Sequence, residues 1–119
     1  MADYVKSFTT DDCAEVCFYI EHDNILAIGE KMNGIDENAY MNGYNWEAFF
    51  NYYLEQNAPE LLEDLDCDSE AGMYAAYYPL SAENEKKGQK FGELIAHLME
   101  NEEELLQIVR EHGDEIEWD

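Results

Sequence analysis

With 119 residues, 46% of them apolar and 13% aromatic, the chain can bury one core and falls short of two, so a single domain over residues 1–119 is expected. Its 29 acids against 6 bases leave a formal net charge of −23, a surface that repels phosphate and anionic lipid and argues against direct nucleic-acid binding and against a membrane contact. Such a field serves solubility, and it also attracts a basic macromolecule.

The opening residues, MADYVKSFTTDDCAEV, hold no continuous apolar segment and carry acids where a cationic leader would stand. No later run reaches membrane-spanning length, so a cytoplasmic protein is expected. A short strand is expected near Tyr4 to Phe8. From Cys13 to Glu21 the sequence CAEVCFYIE places Ala14, Val16, Phe18 and Ile20 on one parity, which predicts a strand. Cys13 and Cys17 would then stand roughly 13 Å apart, beyond the reach of a disulfide. With three cysteines in all, an odd number, they read as small hydrophobes in a reducing compartment. The polar HDN at 22–24, followed by the apolar ILAIGEK, predicts a turn and a second strand, hence a hairpin.

Residues 32–45 contain two Asn-Gly pairs and no sustained period, the composition of an irregular connection. Asn45 is then placed to cap a helix on which Trp46, Phe49, Phe50, Tyr53, Leu54 and Asn57 recur at helical spacing. Pro59 stops that helix, and PELLEDL adds a short turn. After an acidic stretch, Gly72 supplies the permissive backbone of a turn. Met73, Ala75 and Tyr77 then alternate with Tyr74, Ala76 and Tyr78, a strand with both faces partly covered.

Ser81 is placed to cap a second long helix carrying Phe91, Leu94, Ile95, Leu98 and Met99. NEEE at 101–104 has the form of a capping box, Asn101 with Glu104, and restarts a helix that buries Leu105, Ile108 and Val109 and ends at Gly113. Trp118 sits in a charged tail and either docks on the body or hangs exposed. Strands and helices without regular alternation predict α+β: an antiparallel sheet of hairpins with helices packed on one face.

The acidic stretch invites a test for chemistry. Asp64, Asp66 and Asp68 match positions 1, 3 and 5 of a calcium loop, but Ser69 stands where the loop needs glycine and Ala75 where it needs a bidentate acid. Glu93, His97 and Glu100 share a helix face, as a solvated polar stripe also does, and no HExxH or CxxC accompanies them. No nucleophile elbow, P-loop or dinucleotide fingerprint is present, and carboxylate pairs are too abundant for any one to inform. No catalytic residue, metal or cofactor is therefore assigned. The tyrosines, among them Tyr40, Tyr44 and Tyr78 in or beside expected loops, combine with the acids into a composition suited to gripping a basic protein.

Two stretches carry a resemblance. NGYNW at 42–46, opening the aromatic helix, and DSEAGMYAAY at 68–77 together resemble the motif pair of immunity protein family 51 of bacterial polymorphic toxin systems. Asn45 stands where the family more often has an acid, and Ser69 where it has proline. The resemblance implies a non-catalytic protein that binds and neutralises a cognate toxin domain, a basic one if charge guides the pairing. On that reading the partner-binding residues are Asp64, Asp66, Asp68, Glu70, Tyr74 and Tyr78. The alternatives are an acidic adaptor or nucleic-acid mimic acting on a basic host protein, and a small enzyme built on a carboxylate pair.

Overall fold

The alternation of Ala14, Val16 and Phe18 builds a strand, and the computed structural model, which describes residues 3–119, sets it inside a four-stranded antiparallel sheet. Strands β1 (Val5–Thr9), β2 (Cys13–Tyr19), β3 (Asp66–Cys67) and β4 (Met73–Pro79) lie side by side in the order β1-β2-β4-β3. Val5 faces Phe18 across the first pairing and Phe18 faces Tyr74 across the second, so all three point to the same side of the sheet. That side is the core: Val5, Ala14, Val16, Phe18, Tyr74, Ala76 and Tyr78 are each at most 2% exposed.

The helices α1 (Asp23–Ile35), α2 (Gly43–Asn57), α3 (Ala82–Glu100) and α4 (Glu102–His112) complete an α+β fold, with a 3₁₀ turn at Pro59–Leu61. α2 brings its aromatic face down as its spacing requires. Phe18 meets the Trp46 ring edge-on at 5.0 Å, and Phe50 meets Tyr74 at 4.9 Å and Phe91 at 5.8 Å. Such pairs add about 0.5–1.5 kcal/mol each beyond the area they bury. Ser81 caps α3 by accepting the Asn84 N–H at 3.0 Å, and Ser7 Oγ donates to the Gly88 carbonyl at 2.8 Å, tying β1 to that helix.

The expected hairpin after residue 22 does not form. ILAIGEK lies inside α1, where Ile25, Ile28, Gly29 and Met32 are buried while Leu26 and Ala27 face solvent. Spacing of three and four residues outweighs local β propensity here, and β2 pairs instead with β4, a strand far along the chain. The first Asn-Gly pair falls in the last turns of α1 and the second opens α2. Asn42, not Asn45, is the cap of α2, its side chain accepting the Asn45 N–H at 2.9 Å.

Asn45 has another task. It is 3% exposed, donates to the Tyr40 carbonyl at 2.7 Å and accepts the Asp119 N–H, so a neutral amide joins the loop before α2 to the carboxyl-terminal tail. An ionised acid there could not donate to Tyr40. The capping box is also absent. Asn101 closes α3 as well as preceding α4, and its amide donates back to the His97 carbonyl at 2.8 Å, leaving Glu104 to approach His97 Nε2 at 3.4 Å. Gly72 has no left-handed backbone; the only positive φ among the described residues is that of Asp64, at 63°.

Candidate functional site

The acids singled out in the sequence stand together along one border of the sheet. Asp64 turns the corner after the 3₁₀ segment, in a left-handed conformation that aspartate tolerates better than most residues. Asp66 lies in β3 opposite Tyr77, and the Asp68 N–H donates to the Ala75 carbonyl at 2.9 Å. Glu70 and Met73 exchange backbone bonds of 2.9 and 3.3 Å around a two-residue loop. All four carboxylates are exposed.

Tyr74 and Tyr78 do not share that position. Both are 0% exposed on the core side of β4, so the expectation that they present themselves to a partner is corrected by strand alternation. The Tyr78 hydroxyl donates to the Leu61 carbonyl at 2.6 Å, and the Tyr74 hydroxyl lies 3.8 Å from Cys67 Sγ. Burial pushes both phenols up, Tyr74 well above its ordinary value. Burial and then the Glu47 carboxylate raise the Cys67 thiol to about 11. These groups brace the acidic border from beneath. The tyrosine of β4 that faces outward is Tyr77, half-buried.

The two stretches that carry the resemblance touch. The Gly43 N–H donates to the Ala71 carbonyl at 2.9 Å, and a Cβ on Gly43 would come within 1.8 Å of the Glu70 oxygen and 2.4 Å of the Met73 oxygen. Only glycine permits the start of α2 to lie this close to the β3–β4 turn. A second link follows: Ser69 Oγ donates to Glu47 at 2.9 Å. The border of the sheet therefore continues onto α2.

There it opens into a groove of about 340 Å³ between α2 and the carboxyl-terminal tail. Glu47 and Glu55 of α2 face Glu115, Glu117 and Asp119 across it, with Tyr44 and Tyr52 on its walls and no Lys or Arg among its lining residues. The tail is held by Ile116, 5% exposed, and by Trp118, whose Nε1 donates to Asp36 Oδ2 at 3.2 Å and to the Gly113 carbonyl at 3.0 Å. Partial desolvation and the Glu115 and Asp114 carboxylates push the Tyr52 phenol up, a sign of the negative potential at this wall.

The bases that form ion pairs lie outside this groove. Lys31 pairs with Glu102 at 2.7 Å, Lys90 with Glu60 at 3.4 Å and Lys87 with Glu63 at 3.8 Å. Residues 32–85 hold 12 acids and no Lys or Arg. That base-free run was the signal in the sequence for α2's share of the groove, but the tail's share is joined to it only by folding. The arrangement offers charge and hydrogen-bond acceptors. Among the described residues no group of three or more His, Cys, Asp or Glu side chains is placed to hold a metal ion, and no helix is long and apolar enough to cross a membrane.

A family model described as Immunity protein 51 matches residues 6–114. No curated protein and no solved structure matches the chain.

Proposed function

The chain belongs to the immunity protein 51 family, and from that premise we propose that it protects the bacterial cell that makes it by binding a cognate toxin domain and covering the surface the toxin needs. The observation that carries the finer reading is the continuous acidic surface, from Asp64, Asp66, Asp68 and Glu70 through Glu47 to the base-free groove. Such a surface complements a basic domain. A nuclease is the natural candidate, because it must display cations to hold phosphate. Binding alone then suffices for inhibition, and no chemistry by the immunity protein is required.

Charge also sets the kinetics. A surface of net charge −23 attracts a basic toxin before contact, raising the association rate by roughly 10- to 1,000-fold at low salt. Stopped-flow mixing with a candidate toxin domain, taken from a toxin gene adjacent to this one, tests the reading. The triple variant Asp66→Lys, Asp68→Lys, Glu70→Lys should associate about tenfold or more slowly at low salt and with a flatter salt dependence. An unchanged rate would remove the sheet border from the binding surface, and no binding by the wild type would refute the function itself.

A further inference from the structure

The helices that meet the sheet, α2 and α3, contact it on its buried side, and the other side carries an organised set of exposed and half-buried side chains. Strand register arranges them in rows. Phe8, Glu15, Tyr77 and Asp66 lie abreast across β1, β2, β4 and β3, and Tyr19, Met73 and Glu70 form a parallel row nearer the other end. Between the two run Lys6, Cys17 and Ala75. Phe8 is 42% and Tyr19 36% exposed, while Met73 and Tyr77 are half-buried.

We propose that this open face of the sheet is where the toxin domain docks, with Phe8, Tyr19, Met73 and Tyr77 as the apolar centre and Glu15, Asp66 and Glu70 as the carboxylates among and beside them. The inference rests on the function proposed above and gives it a place. A centre of aromatic and methionine side chains bordered by charge is the anatomy of a protein–protein contact, whose binding energy concentrates in a few such side chains. Tyr19, Met73 and Tyr77 stand on β2 and β4, the two strands paired on both sides, so their backbone loses little freedom on binding.

The occupant is identified by charge. A second copy would bring its own net charge of −23 against the carboxylates of this face, whereas a basic domain relieves them. The face already receives one cation: Lys6 Nζ lies 6.0 Å from the centre of the Tyr19 ring. Tyr77 sits between two carboxylates in its row, a setting for an arginine or lysine of the toxin to lie on the ring while pairing with Glu15 or Asp66. The acidic border seen from the sequence is thus the rim of the contact, and its centre lies one residue out of phase with the two tyrosines expected there.

Rim and centre separate kinetically. With the neighbouring toxin domain as probe in surface-plasmon or stopped-flow measurements, Tyr19→Ala and Tyr77→Ala should each raise the dissociation rate roughly tenfold or more with the association rate nearly unchanged. Tyr77→Phe should retain most of the affinity, and Phe8→Lys, on an exposed edge position, should weaken binding without touching the core. Far-UV circular dichroism and melting temperature establish that each variant is folded.

If the wild type binds and Tyr19→Ala, Tyr77→Ala and Phe8→Lys all leave dissociation unchanged, this inference is overturned and the immunity function stands; acceleration by Glu55→Lys and Glu117→Lys would then move the contact to the α2 groove. If light scattering shows a wild-type dimer that Phe8→Lys disperses, the occupant is a second copy and the inference is likewise overturned. Absence of any wild-type binding removes the function and this face together.

Discussion

Replacing Gly43 with alanine places a methyl carbon 1.8 Å from the Glu70 carbonyl oxygen and 2.4 Å from that of Met73. Both obstacles are backbone, held by the Glu70–Met73 bonds of 2.9 and 3.3 Å, so no side chain can swing aside. Reaching ordinary contact requires the start of α2 and the β3–β4 turn to part by about 1.4 Å, which also lengthens the Gly43–Ala71 hydrogen bond beyond use. Overpacking of this kind costs about 1–3 kcal/mol and the lost bond about 1 kcal/mol more. For a domain of this size the melting temperature should fall by roughly 8–16 °C.

Thermal unfolding followed by circular dichroism measures the effect. Gly34→Ala is the control, since a Cβ there meets nothing within 4 Å and the residue lies in α1. It should raise stability by up to about 1 kcal/mol through helix propensity. A Gly43→Ala protein melting within about 2 °C of the wild type would refute the claim that close backbone approach fixes this glycine.

Three further outcomes are expected. Tyr78→Phe leaves the buried Leu61 carbonyl without its 2.6 Å donor and should cost about 1–3 kcal/mol by urea denaturation, whereas a loss below about 0.5 kcal/mol would mean the carbonyl finds another partner. Cys67, Tyr74 and Tyr78 have folded-state values raised above their ordinary ones, so their contribution is complete below the unfolded values and is lost as pH rises through the folded ones. Under reducing conditions stability should therefore hold to about pH 9 and then decline; Cys67→Ala should flatten the part of the decline between pH 9.0 and about 11, and an identical slope in the variant would exclude the thiol as a cause. Finally, the self-repulsion of a net charge of −23 should be screened by salt, raising the melting temperature between roughly 10 mM and roughly 0.5 M sodium chloride; a fall over that range would show that ion pairs outweigh repulsion.

One property of the chain separates the elements legible in its sequence from those that are not. Where a single period runs uninterrupted, as in Trp46 to Leu54 or Phe91 to Met99, the element and its buried face follow directly, because burial on one side of a helix leaves a trace in the chain itself. Ile25, Ile28 and Met32 carry the same trace, but Leu26 and Ala27 between them make the run look continuous and strand-like. On β4, alternation made Tyr74 and Tyr78 one face and Tyr77 the other, yet nothing local says which face meets the helices. That choice was made by Phe18, Phe50 and Phe91, residues far apart in the chain.

Composition and local pattern determined the acidity, the α+β class, the principal helices and the motif pair that places the chain in its family. Tertiary structure alone decided that β2 pairs with β4, that Gly43 lies against Glu70 and Met73, that residues 115–119 close a groove over α2, and that one face of the sheet is left open. Each of these depends on contacts between residues distant in sequence, whose energies arise only when the chain folds back on itself. A one-dimensional pattern records which residues seek burial, and the packed structure determines against what they are buried.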